Sequence, residues 1–360
     1  MTERFPLAAA GISLAVTATG GLIDELSIER DGRRITPLHR APWVGSPHEV
    51  PAGEPPHLAL LSGDFFCAPF GASKEAPPHG WTANGHWSQR SLDRTDDGVE
   101  AVFDLAEQVQ GAAAEKRIVL RGGHPVVYQV HTLRGGRGRI PIAHHAMIHA
   151  PGGAALAFSP KDFGRTPPHD LGSPGDGSRS VLAYPQRFER LDAVRLASGE
   201  TVDASRYPFA QRHEDFLALF DPPAAAIGWS AATTADFVFF AIKDASVLCQ
   251  TCLWMSNGGR PSAPWNGRHT HVLGIEESCS YFADGAEASA PGNDLSRSGY
   301  RTAVDLGADV VVRYALGAVP LPPGFSRVAD ISRTSQGIDL VDSGGARHAV
   351  PFDTGFFGHW

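Results

Sequence analysis

The sequence predicts an all-β protein, and three observations carry the prediction. Forty glycines and 28 prolines are spread through the 360 residues, which leaves little room for long helices. Between these breakers lie short runs rich in Val, Ile, Leu, Phe and Thr, such as FVFFAIKD and VVYQVHTL. They have strand length, and the second alternates as a strand does. Hydrophobic residues make up 42% of the chain, enough to bury a substantial core in one large β domain or two ordinary ones.

Charge and cysteine content narrow the function classes. The net charge is −8 with the basic residues scattered, so no nucleic-acid partner is expected. No run approaches the roughly 18 apolar residues of a membrane span, and no membrane partner is expected either. FPLAAAGISLAVTATGG near the N-terminus lacks a basic lead and a clear cleavage site, and reads as mature protein. Four cysteines are too few for a disulfide framework. Cys249 and Cys252 form a lone CxxC inside the strand-like VLCQTCLWM, which speaks against zinc or redox use. A reducing, cytoplasmic setting without cofactor or metal is the simplest expectation.

From Gly11 the chain reads as three short strands, with Gly20-Gly21 and Asp31-Gly32 as turns. His39 to Leu60 is a Pro-rich, irregular excursion. It leads into GDFFCAPFGASKEAPPHGWTANGHW, Gly63 to Trp87, which has no regular periodicity and is expected to be a rigidly held loop. Pro77 and Pro78 give His79 a stiff lead-in and Gly80 permits a tight turn after it, a way to hold an imidazole still. With 16 histidines in the chain, an ordinary loop residue is the alternative.

Beyond Trp87, EKRIVLRGGHPVVYQVHTLRGG forms a strand pair, and Phe103 to Lys116 reads as strand despite its Ala, Glu and Gln content. If Ile140 to Ala150 is a strand, His145 and His149 share one face and His144 the other. Ser159 to Ser180 is a long Pro/Gly loop whose Lys161, Asp162, Arg165 and His169 could reach a ligand. FVFFAIKD and VLCQTCLWM are buried-strand candidates. HTHVLGIE emerges from a Gly/Pro/Trp loop and ends at Glu276 and Glu277, where an apolar setting would raise a carboxyl's pKa toward that of a useful base. His269 and His271 would share a strand face. The aromatic tail of Phe352, Phe356, Phe357 and Trp360 is expected to pack on the domain or to make a subunit contact in a homodimer.

Cys67, Pro69, Phe70, Gly71, His79, Gly80, Trp81 and Trp87 together resemble the corresponding region of the aldose 1-epimerase (galactose mutarotase-like) family. Within it they are nearest to the hexose-6-phosphate epimerase branch. The opening strands resemble the family as well, and YRTAVDLGADVVVRYALGAV resembles its closing hairpin. The resemblance implies a galactose mutarotase-like β-sandwich (supersandwich) over residues 1–320; residues 321–360 have no counterpart in it and are expected as a C-terminal extension packed on the same domain. It further implies an enzyme that interconverts the anomers of a sugar. Its expected catalytic residues are His79, His145 (with His144 as the alternate) and Glu276 (with Glu277 as its neighbour). Trp81, Asn84 and Trp265 would stack on or hydrogen-bond to a monosaccharide or related carbohydrate. Where the branch carries arginines this chain has Ser62 and Ala83, which weighs against a phosphorylated substrate. A carbohydrate-binding protein without chemistry is the alternative, and a metal-dependent enzyme using His144, His145, His149, His269 or His271 is a third reading.

Overall fold

The strand Phe237–Asp244 shows how the chain builds its layers. All eight residues are buried, because both faces are covered. Phe239 and Ala241 belong to one apolar layer, whereas Val238, Phe240 and Ile242 belong to another. Period-two alternation sorts the side chains.

The computed structural model describes residues 2–172, 177–358 and 360. Phe237–Asp244 lies near the middle of a nine-stranded antiparallel sheet. Its order is Arg206–Tyr207, Ala154–Phe158, Ile227–Thr233, Phe237–Asp244, Val310–Pro320, Val126–Arg134, Ala113–Arg121, Gly98–Leu105 and Trp87–Thr95. A second, eight-stranded sheet runs Arg187–Phe188, Phe163–Arg165, His213–Phe220, Gln250–Asn257, Val272–Cys279, Ile142–His144 and Phe66–Cys67. Its eighth strand, Ala146–His149, continues Ile142–His144 along Val272–Cys279 in unbroken register.

Three apolar layers hold these sheets. The main core lies between them, with Phe239 and Leu316 meeting residues such as Leu253 and Ile275. The outer face of the eight-stranded sheet carries an aromatic layer that includes Trp43, Phe65, Phe70, Phe216 and Trp254. The outer face of the nine-stranded sheet is covered by the residues after Pro320. These form a small sheet of Val328–Arg333, Gly337–Asp342 and Arg347–Pro351, and Ile331, Leu340, Phe352 and Phe357 pack it down. The Asp342 carboxylate accepts from the backbone N–H groups of Ser326, Arg327 and Gly344. Those bonds hold it well below the usual carboxylate range.

The meander expected from Gly11 is present as Ile12–Thr17, Ile23–Arg30 and Arg33–Ile35, with Arg4–Ala9 added as a fourth strand. Phe103 to Lys116 spans the end of one strand and the start of the next, as its flanks suggest. The loop from 159 to 180 contains the short strand Phe163–Arg165, and its residues 173–176 lie outside the described residues. Among the described residues no helix is long and apolar enough to cross a membrane.

Candidate functional site

Strand parity places the two acids. On Val272–Cys279, Leu273 and Ile275 face the core between the sheets while Val272 faces the aromatic outer layer. Glu277 therefore points inward and Glu276 outward. Inside, Glu277 pairs with Lys243 at 2.5 Å and accepts from Thr251 Oγ1 at 2.7 Å and from Ser230. Lys243 also pairs with Asp221 at 2.7 Å, which Lys161 meets at 2.5 Å. Every charge of this ion cluster is paired: Glu277, Lys243 and Asp221 are buried, and Lys161 stands at its edge, where it lines a separate surface groove.

Outside, Glu276 lies on the floor of a cleft of about 290 Å³, at the lower end of the roughly 300–1,000 Å³ typical of small-molecule sites. The adjoining strand register, Ile142 with Cys279, Ala143 with Ser278 and Ala146 with Ile275, sets His145 directly across from Glu276 and His144 across from Glu277. His145 Nε2 is 3.2 Å from Glu276 Oε1. Its ring stacks on Phe65, with centroids 4.6 Å apart. Burial pushes the Glu276 carboxyl well above its ordinary value, with Arg260 pulling the other way. Burial lowers His145 to about 4. His144 faces the other way, 3.2 Å from Asp64 and stacked on Tyr314.

His79 enters the same cleft from the loop. It adopts the left-handed conformation at φ 66°, and its N–H donates to Gly71 O at 2.8 Å. Gly80 follows at φ 76°, where a Cβ would meet Ala68 O at 2.0 Å, so only glycine fits there. The rigid Pro-Pro-His-Gly corner is thus built by backbone contacts. It brings the His79 ring edge-on to His145 at 5.5 Å. Burial and the neighbouring imidazoles lower its pKa.

Trp265 lines the far wall. The other two expected ligand contacts lie elsewhere. The short helix Gly80–Asn84 turns Trp81 away from the cleft, against the rim of the main core and into a separate groove with Pro69 and Gln108. Asn84 is buried beneath the cleft and spends its amide on protein: Nδ2 donates to Pro78 O and Gly80 O, and Oδ1 meets the N–H and Nδ1 of His57. Of the long-loop candidates, Lys161 belongs to the buried ion cluster, Asp162 accepts from Tyr300, Arg165 pairs with Asp294, and His169 is exposed at 3.7 Å from Asp284. Among the described residues of that loop, Leu171 reaches the cleft.

Sequence reasoning missed His57, Trp254 and Arg260 in the cleft lining and Glu214 behind them. His57, on the short helix Pro56–Ala59, lines the cleft beside His79, with ring centroids 5.0 Å apart. Its signal was available, because Pro-Pro-His occurs at His57, at His79 and at His169. Trp254 forms another part of the wall. Arg260 lies over Trp265 at 4.6 Å and over Trp254 at 5.6 Å, and its Nε reaches Glu214 at 3.1 Å. Glu214, buried beneath, also accepts from Trp254 Nε1 at 2.5 Å and Ser256 Oγ at 2.9 Å.

His149, His269 and His271 are not part of the cleft lining. His149 stands on the same strand face as His145, beside His39 at 5.7 Å. His269 and His271 precede the strand rather than alternating within it, with His271 at φ 60°. His269 Nδ1 is 2.8 Å from Ser256 Oγ. Among the described residues no group of three or more His, Cys, Asp or Glu side chains could hold a metal ion. The CxxC residues face different partners: Cys252 is buried against Ser278 and Cys249 donates to Arg301 O.

No family model and no curated protein searched matches the chain. Solved structures do match it. A candidate aldose 1-epimerase from Escherichia coli K12 superposes with a TM-score of 0.57 at 11% identity, covering 89% of this chain and 100% of that one. A candidate mutarotase from Salmonella typhimurium gives 0.54 at 13%, covering 88% and 90%. A galactose mutarotase related enzyme from Lactobacillus acidophilus gives 0.54 at 10%, covering 88% and 97%. At such identities the likeness concerns the backbone, and it agrees with the antiparallel sheets described above. The chain has the galactose mutarotase-like fold.

Proposed function

We propose that the chain is an aldose 1-epimerase-like enzyme that opens and recloses the ring of a monosaccharide in the cleft. The observation that carries this reading is the pairing of His145 Nε2 with Glu276 Oε1, 3.2 Å apart on neighbouring strands at the floor of an aromatic cleft. Ring opening requires a proton to leave the C1 hydroxyl while another reaches the ring oxygen. Glu276 takes the first and His145 gives the second; the C1 to ring-oxygen bond breaks as the C1 carbonyl forms. Rotation about C1–C2 presents the other carbonyl face, and the two transfers reverse. Burial favours the neutral form of each group, whereas the field of Arg260 and hydrogen bonds from bound hydroxyls favour the Glu276 carboxylate. His79 orients the ring, and Trp265 offers it an apolar face.

A sugar-binding protein that lacks the chemistry is the second reading, favoured by the same burial, since a neutral Glu276 and a neutral His145 make a poor base and acid. Polarimetry or NMR of anomer exchange on a panel of free and phosphorylated aldoses separates the two. Acceleration that Glu276→Gln abolishes supports the enzyme; sugar binding without acceleration overturns it.

A further inference from the structure

His57 has the best-determined hydrogen-bonding state of any imidazole in the cleft, and that state follows from Asn84. The Asn84 nitrogen stands 2.8 Å from Pro78 O and 2.7 Å from Gly80 O. Two carbonyls can only accept, so the atom between them is the NH2 group and the amide orientation is fixed. Its oxygen then faces His57, 3.1 Å from the backbone N–H and 2.9 Å from Nδ1. An amide oxygen can only accept, so the His57 proton sits on Nδ1. The other nitrogen, Nε2, is left with a lone pair and no partner among the described residues, and it is not among the sealed polar atoms of the interior. It opens onto the cleft that His57 lines.

His79 has the opposite arrangement. Gly71 N–H donates to its Nδ1 over a long 3.5 Å, which puts the proton on Nε2. The two rings stand edge to face at 5.0 Å. One offers an acceptor and its neighbour a donor.

We propose that His57 is the specificity-determining group of the cleft, accepting through Nε2 a hydrogen bond from one ligand hydroxyl while His79 donates to an adjacent one. A vicinal diol satisfies both at once, and a ligand lacking the first hydroxyl leaves a desolvated lone pair unmet. The inference rests on the sugar reading of the cleft but not on catalysis.

Two experiments test it. In 15N-labelled protein, imidazole correlation spectra should show His57 with its proton on Nδ1 and a bare Nε2. Binding of monosaccharides and their monodeoxy analogues should fall by about tenfold when one particular hydroxyl is removed. His57→Phe should weaken the parent sugar by a similar factor and lose that discrimination. His57→Gln, whose amide oxygen can stand where Nε2 stood, should keep part of it. A proton found on Nε2 overturns the proposal whatever the ligand, and so does a His57→Phe protein that discriminates as the unmodified one does. Discrimination without anomer exchange would remove the enzyme reading and leave this one standing.

Discussion

His145 and Glu276 are cross-strand neighbours, set opposite each other by one antiparallel register, with Nε2 and Oε1 3.2 Å apart. The adjacent pair in the same register, His144 and Glu277, faces into the core. Two contiguous acids and two contiguous histidines therefore divide cleanly between a cleft and an interior.

The first prediction concerns the pair itself. Proton transfer by a positioned group contributes on the order of 10²–10⁴-fold, so Glu276→Gln should slow anomer exchange by at least about a hundredfold. On the proposed reading the active pair holds one proton. Activity should fall on the acid side as His145, lowered to about 4, takes up a second proton, and on the alkaline side as the remaining proton is lost. A pH–rate profile of the unmodified protein checks this, and a limb centred on the ordinary histidine value would contradict it.

Glu277→Gln should behave in the opposite way. It leaves Lys243, which Asp221 and Glu277 hold well above its ordinary value, with one carboxylate fewer in a site sealed from water. Breaking a buried ion pair typically costs about 3–5 kcal/mol. Urea denaturation should show a loss of that order for Glu277→Gln and little loss for Glu276→Gln, whose burial already favours the neutral carboxyl. Equal stabilities would sink the distinction.

Much of this was legible in the sequence because strands sort side chains by parity. Parity separated His144 from His145, the resemblance preferred Glu276 to Glu277 and pointed to His79, and in the fold Leu273 and Ile275 take the inward face that leaves Glu276 outward. What parity and local sequence could not supply was the direction of side chains on short irregular elements. Trp81 and Asn84 follow His79 closely, yet one turn of helix sends Trp81 to another groove and puts Asn84 under His57. His57 and Arg260 come from distant segments, and only the folded sheet brings them to Glu276. The His269 and His271 pair failed as a strand face because the left-handed turn at His271 comes before the strand begins.

Acid sensitivity follows from the buried histidines. Burial lowers His39 to about 3 and His57 and His145 to about 4, against about 6.5 in the unfolded chain. Between those values the unfolded chain binds more protons than the folded one. Stability is therefore fully present above about pH 6.5 and is lost as the pH falls toward 4, at about 1.4 kcal/mol per pH unit for each such group. His39→Phe should flatten the slope by one proton without touching the cleft. Denaturant titrations at pH 7, 6 and 5 check it, and an unchanged slope would mean that His39 titrates normally.

Arg260 joins charge and stacking, and two substitutions separate them. Its guanidinium lies over Trp265 and Trp254, and its charge lowers the Glu276 pKa against the effect of burial. Arg260→Met removes the charge, so Glu276 should become harder to ionise, the alkaline limb should move to higher pH and kcat should fall. Arg260→Lys keeps the charge but loses the planar contact and the Nε bond to Glu214. It should leave the limb in place and raise KM as the Trp265 wall loosens. If both variants shift KM alone, Arg260 holds the wall without tuning the acid, and the ionisation of Glu276 must then depend on the bound hydroxyls.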